Sequence, residues 1–229
     1  KEVALEPEKL SLQELAREYA ASILECTKKE ERIQLVGWCI GGTICFEIAR
    51  ILEASGYQNI HILFLDTQEP GRLEELSYNI PTELEFMKKY AFRADIGTLK
   101  TDSSVKALWE SVVDKISGDE RLEDAVKKSF FTETAGVLIN QEKMSVREMI
   151  MIHNFFRSIV DAAEKVPVSG RVHSTDACYI HASSGSVAEN PQRWQNYFDK
   201  KIEFLEVDSS HFGLIQKNCG LCCEGIREN

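Results

Sequence analysis

One cysteine occupies a sequence position that is typical of a catalytic nucleophile. It is the third residue of Gly37-Trp38-Cys39-Ile40-Gly41-Gly42, between a short β-prone run, Ile33–Val36, and apolar residues that repeat at helical spacing from Ile44. The pattern Gly-x-nucleophile-x-Gly places the nucleophile on a tight turn from a strand into a helix. Side chains two positions before and after it would collide, so we expect packing to require glycine at 37 and 41. A cysteine in an ordinary glycine turn is the alternative.

Such a turn would give residue 39 two further properties. The amino-terminal end of the following helix lies beneath the sulfur and favours the thiolate form. The backbone N–H of Ile40 is expected to point to the oxygen of a tetrahedral intermediate and to form half of an oxyanion hole. The motif therefore predicts acyl transfer through a covalent intermediate on Cys39.

His211 is the predicted general base. It lies on a loop after the last strand-like segment, Ile202–Val207, where it could take the proton from Cys39 and later serve the leaving group or the incoming nucleophile. The other histidines have less suitable positions in predicted strands, in a helix or in an exposed turn: His61, His181, His153 and His173.

Asp66 is the predicted acid that orients His211. It ends the strand-like segment 59–65, which follows the nucleophile strand in a β-α-β unit, so both strands should end at one edge of a parallel sheet. The alternative position for the acid is the loop after the Cys178–Ala182 strand, which contains no Asp and only a distant Glu189. An aspartate that merely terminates a strand or stabilises a turn is the structural alternative.

The remaining patterns predict an α/β protein with a mostly parallel sheet. A helix from Leu12 to about Cys26 begins with a capping box, Ser11–Glu14, and strand patterns return after Pro167. Residues 71–165 are charged and helical in periodicity, which predicts a helical lid inserted into one domain whose core is 1–70 and 166–229. Aromatic residues of the insertion are candidates to face substrate, although their spacing is also typical of a core: Phe86, Tyr90, Trp109, Phe155 and Phe156.

Composition excludes several functions. A formal net charge of −10 lacks the basic surface that nucleic-acid binding requires. The sequence contains neither a run of about 18 apolar residues nor a secretory leader, and its seven cysteines are an odd number, which favours reduced thiols in the cytoplasm. Cys219, Cys222 and Cys223 have no second ligand pair elsewhere in the sequence, so we interpret them as small apolar residues rather than zinc ligands.

The chain reaches Cys39 after only one helix and one strand and begins at Lys1. We therefore expect the amino-terminal part of the fold to be missing from this chain.

Four segments resemble the thioesterase domains that end nonribosomal peptide and polyketide synthases, within the α/β-hydrolase superfamily. They are Leu12–Ile23, Leu35–Gly42, Phe64–Pro70 and Val207–Leu214. The order of nucleophile, acid, lid and histidine is that of the family, and Trp38 resembles the synthase-terminal type more than the free-standing editing type.

The resemblance implies an α/β-hydrolase fold and an acyl or peptidyl chain delivered on the phosphopantetheine of a carrier domain, with no bound cofactor or metal. Cys39 would accept the chain, and water or an internal hydroxyl or amine would release it. The family supplies a second oxyanion donor from an upstream loop, which this sequence does not contain. The family usually has serine at position 39, and the sequence does not distinguish a natural cysteine from an engineered one.

Two other functions are compatible with parts of the pattern. A dienelactone-type hydrolase also uses a cysteine in this turn, but the early acid and the long insertion argue against it. A degenerate domain that only docks a carrier would not need the complete set that this sequence retains: Gly37, Cys39, Gly41, Asp66 and His211.

Overall fold

The computed structural model describes residues 4–68, 77–89, 104–124, 144–165, 168 and 170–216 of the 229-residue chain. The chain divides into two compact units. One consists of Lys1–Lys9 with Glu75–Ile159, and the other of Leu10–Glu74 with Val160–Asn229. The first contains most of the predicted insertion, whose role as a lid remains a prediction. In the part of the chain that is described, no helix has the length and apolar character to span a membrane.

A parallel four-stranded sheet forms the centre of the second unit. Its strands are adjacent in chain order: β1 (Ile33–Trp38), β2 (Ile60–Leu65), β3 (Asp176–Ser184) and β4 (Glu203–Ser210). β2 and the middle of β3 are buried on both faces, as is usual for the inner strands of a parallel sheet. The predicted α/β architecture is confirmed.

Two strands are longer than the sequence indicated. β1 continues past Val36 because Gly37 and Trp38 still pair with β2, so the expected break at Gly37 is wrong. β4 continues past Val207 to Ser210, where it pairs with Ser184 of β3 after a bulge. Cross-strand pairing therefore extends both strands up to the residues that carry the candidate site.

The register of the sheet aligns these residues at one edge. Trp38 pairs with Leu65, so the next residues, Cys39 and Asp66, leave the sheet at the same level. His211 directly follows β4. Parallel pairing thus brings all three residues to the carboxyl edge of the sheet.

Two helices of this unit pack against each other. α1 (Leu12–Cys26) begins at Ser11, whose hydroxyl accepts a hydrogen bond from the Glu14 N–H at 3.2 Å, as the predicted cap requires. α2 (Ile40–Ala54) connects β1 to β2 and is followed by Gly56 at φ 92°. A left-handed glycine is the usual residue just after the end of a helix.

Aromatic side chains from the sheet, α2 and the segment before β4 fill the core of this unit. The ring of Phe64 lies 4.8 Å from that of Trp194, which belongs to a 3₁₀ helix, Pro191–Tyr197. The aromatic residues that are completely or almost completely buried here are Phe46, Phe64, Tyr179, Trp194 and Phe198.

The described part of the insertion is helical. It contains α3 (Ile80–Lys89), α4 (Val105–Ser117) and α5 (Val146–Lys165), and residues 120–124 are also helical. Polar side chains cap their first turns, including the Ser104 hydroxyl, which accepts from the Ala107 N–H. α6 (Gly213–Gln216) follows β4 in the other unit.

The first unit has an apolar core of its own, which includes Leu5, Met87, Leu108, Trp109, Val112, Val113, Ile116, Val146 and Ile150. Trp109 is fully buried there and Phe86 packs against it, so the core interpretation applies to both. Phe155 and Phe156 are partly exposed, and Tyr90 lies outside the described residues.

A buried ion pair lies beside this core. The carboxylate of Glu83 on α3 is fully buried, pairs with Arg157 of α5 and accepts a hydrogen bond from Trp109 Nε1 at 3.1 Å. The Arg157 guanidinium lies 3.9 Å from the centre of the Phe86 ring. Both charges are thus compensated within the unit, and removal of one would leave the other unpaired.

Replacement of Glu83 by leucine is expected to destabilise the helical unit by about 3–5 kcal/mol, because Arg157 then remains as an uncompensated, largely buried charge. Urea unfolding followed by hydrogen exchange in α3, α4 and α5 measures the change. The matched control is Glu110→Leu, which breaks the exposed pair of Glu110 and Arg147 and should cost less than about 1 kcal/mol. Equal losses in the two variants would contradict the assignment.

Candidate active site

Cys39 has an unusual backbone conformation. Its φ and ψ are 54° and −127°, and it is the residue that immediately precedes α2. Residues other than glycine rarely adopt a positive φ, and such strain persists only where the surrounding structure imposes it. The side chain is partly exposed. The strand-to-helix turn thus presents a reachable sulfur at the amino-terminal end of a 15-residue helix.

Close packing within this turn requires two glycines. A Cβ on Gly37 would lie 2.4 Å from the Gly42 backbone, and one on Gly42 would lie 2.0 Å from Thr67 Oγ1. A Cβ on Gly41 would meet no atom within 4 Å. The expectation that packing requires Gly41 is therefore wrong. The second glycine that packing requires is Gly42, one residue after Gly41, where the first turn of α2 passes over the end of β1.

Asp66 and His211 are in direct contact. Asp66 Oδ2 lies 2.7 Å from His211 Nδ1, and both side chains are buried. The carboxylate thus occupies Nδ1 and leaves Nε2 for Cys39. The structure brings Asp66 and His211 together, as the sequence predicted, whereas Glu189 is exposed on its loop.

Several donors surround the Asp66 carboxylate. Oδ1 accepts from the Ser186 hydroxyl at 2.6 Å and from the Ala182 N–H, and Oδ2 accepts from the Val187 N–H. Burial would raise the pKa of Asp66, but the hydrogen bonds from His211, Ser186 and the two backbone amides lower it below its ordinary value. Asp66 is therefore held as an anion.

Two neighbouring groups, Asp66 and Cys39, raise the pKa of the His211 ring. Burial would lower the pKa of His211, but its hydrogen bonds to Asp66 and Cys39, and their negative charges, raise the pKa from 6.5 to about 9. The imidazole is consequently protonated at neutral pH and can donate that proton to a leaving group. The arrangement is suited to nucleophilic attack by sulfur.

Three contacts at the site were not foreseen from the sequence. The Trp38 indole stacks on the His211 ring, Ser186 hydrogen-bonds Asp66, and His181 Nδ1 lies 3.2 Å from Asp66 Oδ1. The sequence marks the loop after β3 only as an alternative source of the acid. Its position at the same sheet edge also allows it to supply hydrogen-bond donors. The sequence signal that could have indicated a role for Trp38 is its position directly before Cys39.

The remaining candidates lie on other elements or outside the described residues. His173 is exposed and contacts Asp199, while His61 and His153 lie in β2 and α5. Ile40 is the first residue of α2, so its N–H has no partner within the helix, and its place in an oxyanion hole remains a prediction. Within the described residues no group of His, Cys, Asp or Glu is arranged to bind a metal ion. Cys219, Cys222 and Cys223 lie outside them.

Comparison with known proteins identifies the family. The model of the thioesterase domain matches residues 3–228. The chain belongs to this family. No curated protein matches the sequence of this chain at a significant level.

Solved structures are similar to this thioesterase domain in fold. They include the type II thioesterase BorB from the borrelidin biosynthetic cluster (16% identity, TM-score 0.51), matched over 94% of this chain and 69% of that one. The thioesterase domain SrfTE, whose structure concerns cyclisation of surfactin, has 15% identity and a TM-score of 0.50 over 93% and 75% of the two chains. A four-domain nonribosomal peptide synthetase has 14% identity and a TM-score of 0.57 over 96% and 16%.

Proposed function

We propose that this thioesterase domain releases an acyl or peptidyl chain from a carrier protein through an acyl-enzyme on Cys39, by cyclisation or hydrolysis. The observation that carries the proposal is the buried Asp66–His211 pair beside a partly exposed sulfur on a strained turn. The likeness to synthase thioesterases in fold supports the choice of a carrier-bound substrate.

In the first half-reaction the Cys39 thiolate attacks the carbonyl carbon of the carrier thioester. The new C–S bond forms as the carbonyl oxygen becomes an oxyanion, to which the Ile40 N–H donates. Collapse of this intermediate breaks the bond to the phosphopantetheine sulfur. The His211 imidazolium gives its proton to that sulfur, so the carrier leaves as a free thiol and His211 becomes neutral.

In the second half-reaction neutral His211 is the base. It takes a proton from water, or from a hydroxyl or amine of the bound chain, and the resulting oxygen or nitrogen nucleophile attacks the acyl carbon. The Cys39 thiolate leaves and the imidazolium is restored. Asp66 holds the proton-bearing Nδ1 throughout, so Nε2 faces the reacting atoms.

A cysteine nucleophile has a consequence for product choice. Transfer from phosphopantetheine to Cys39 exchanges one thioester for another, whereas transfer to serine would give a less reactive ester. The thioester remains reactive toward amines and toward weak or strained nucleophiles. We therefore favour cyclisation or aminolysis over simple hydrolysis in the second half-reaction.

A Cys39→Ser variant tests this preference on one carrier-bound substrate. We expect the serine enzyme to give a larger fraction of hydrolysed product and slower cyclisation, because its ester reacts less readily with an internal amine. Liquid chromatography with mass spectrometry measures the product ratio, and turnover by both enzymes is required for the comparison. An unchanged ratio would reject the preference.

Intact-mass spectrometry with an acyl-loaded carrier protein tests the function itself. We expect an adduct that has the mass of the acyl group, is located on Cys39 by peptide mapping and requires His211. Rapid removal of short, incorrect acyl groups would favour a free-standing editing thioesterase. Turnover of a small cyclic ester without a carrier would favour a dienelactone-type hydrolase, and carrier binding without an adduct would favour a docking domain.

A further inference from the structure

Cys39 and His211 come from opposite edges of the described sheet. Cys39 follows β1 and His211 follows β4, with β2 and β3 between them. Three inter-strand spacings separate the two strands, which is about 14 Å. Side chains must therefore span the ends of the two intervening strands if the His211 ring is to reach the sulfur, and side chains near Cys39 can retain it there.

The hydrogen bond to Asp66 controls only part of this placement. The bond holds His211 Nδ1 at 2.7 Å from Asp66 Oδ2, but it allows the imidazole to rotate about the axis of that bond. Such a turn would move Nε2 away from the sulfur. A second contact, with the face of the ring, is needed to define its plane.

Trp38 supplies that contact and a second one to the backbone. Its indole stacks on the His211 imidazole with centroids 4.7 Å apart and 28° between the planes, and its Nε1 donates to the His211 carbonyl oxygen at 3.0 Å. Phe212 packs edge-on against both rings. Because Trp38 is bonded to Cys39, these contacts connect the base directly to the residue that carries the nucleophile.

We propose that Trp38 is a positioning residue that fixes the plane and backbone of His211 so that Nε2 stays within reach of the Cys39 sulfur. This role rests on the proposed function, because it matters only if the two residues exchange a proton. The stacked indole also favours the charged form of the ring, since a cation is attracted to an aromatic face. The ionisable neighbours of the imidazole are Cys39 and Asp66, and His181 lies beyond Asp66.

Two substitutions separate the contacts. Trp38→Phe keeps an aromatic face and removes the Nε1 donor, whereas Trp38→Leu removes both. We expect kcat for a carrier-bound thioester to fall by about 10²-fold in Trp38→Leu, as for a misplacement of about 1 Å, with KM changed little. Trp38→Phe should lie between this variant and the unchanged enzyme.

Two readouts do not require turnover. His211 should titrate below about 9 in Trp38→Leu, as followed by the NMR signals of its ring, and iodoacetamide should alkylate Cys39 more slowly at neutral pH. Phe198→Leu is the matched control, because it alters a buried aromatic residue of the same unit whose ring packs on Phe64 and Phe46. It should lower the melting temperature but leave the His211 titration and the alkylation rate unchanged.

The results distinguish this proposal from the proposed function. The positioning role is rejected if three quantities in Trp38→Leu all stay within twofold of the unchanged enzyme. They are the acid dissociation constant of His211, the alkylation rate of Cys39 and kcat. If Phe198→Leu changes them as much as Trp38→Leu, the effect is general destabilisation and the role is again rejected. If titration and alkylation change as expected but the unchanged enzyme forms no acyl adduct, the positioning role stands and the proposed function fails.

Discussion

Cys39→Ala is expected to reduce thioester turnover by about 10⁶-fold, because loss of the nucleophile removes the acyl-enzyme route as a whole. The variant should remain folded, since the Cys39 side chain is partly exposed. Single-turnover release of an acyl group from a loaded carrier protein measures the rate. The mass of the protein after mixing should show no acyl adduct.

Thiol labelling supplies the control for this variant. Cys45 and Cys178 are buried, and burial raises the pKa of these thiols to about 12 and about 11, so they should react slowly at neutral pH. Cys26 is exposed, and Cys26→Ala should leave turnover unchanged. An acyl adduct that persists in Cys39→Ala would exclude Cys39 as the nucleophile.

Asp66→Asn should lower kcat by about 10³-fold, within the range that a general acid or base contributes. The donors Ser186 and Ala182 retain the amide oxygen in the place of Oδ1, so the amide NH₂ takes the place of Oδ2 opposite His211 Nδ1. His211 must then present an unprotonated Nδ1, which puts the proton on Nε2. In that tautomer Nε2 already carries a proton, so it cannot accept one from the water, hydroxyl or amine that attacks the acyl-enzyme.

The same variant tests the electrostatics of the pair through stability. The pKa of folded His211 is raised to about 9, so its stabilising contribution is complete below 6.5 and is lost as pH rises through about 9. The lowered pKa of Asp66 adds stability above about 3.8 that is lost as pH falls through its folded value. The stability advantage of the unchanged enzyme over Asp66→Asn should therefore be largest near pH 5–6.5 and decline toward pH 10.

A second Asp–His pair provides the matched control. Asp199 contacts the exposed His173 at 2.5 Å on the surface. Asp199→Asn should leave kcat within twofold and change stability little, because solvent screens the interaction. Equal effects of the two substitutions on kcat would contradict the role of Asp66.

The β-α-β unit around Cys39 could be predicted because its signals are local. Apolar alternation, glycine and helical spacing occur within about thirty residues, and short connections force parallel pairing. The ends of β1 and β4 could not be predicted, because Trp38 and Ser210 are extended by their partners on β2 and β3 rather than by their own propensities. The close approach at Gly42 likewise depends on Thr67, which is 25 residues away.

The sequence alone determined the candidate residues of this thioesterase domain, since a cysteine in a glycine turn, an acid after the next strand and a histidine after the last one single them out. Only the tertiary structure decided how they are held. The contacts of Trp38 with His211, of Ser186 with Asp66 and of Glu83 with Arg157 join residues that are 74 to 173 positions apart. Such contacts arise when strands and helices pack, and no local pattern encodes them.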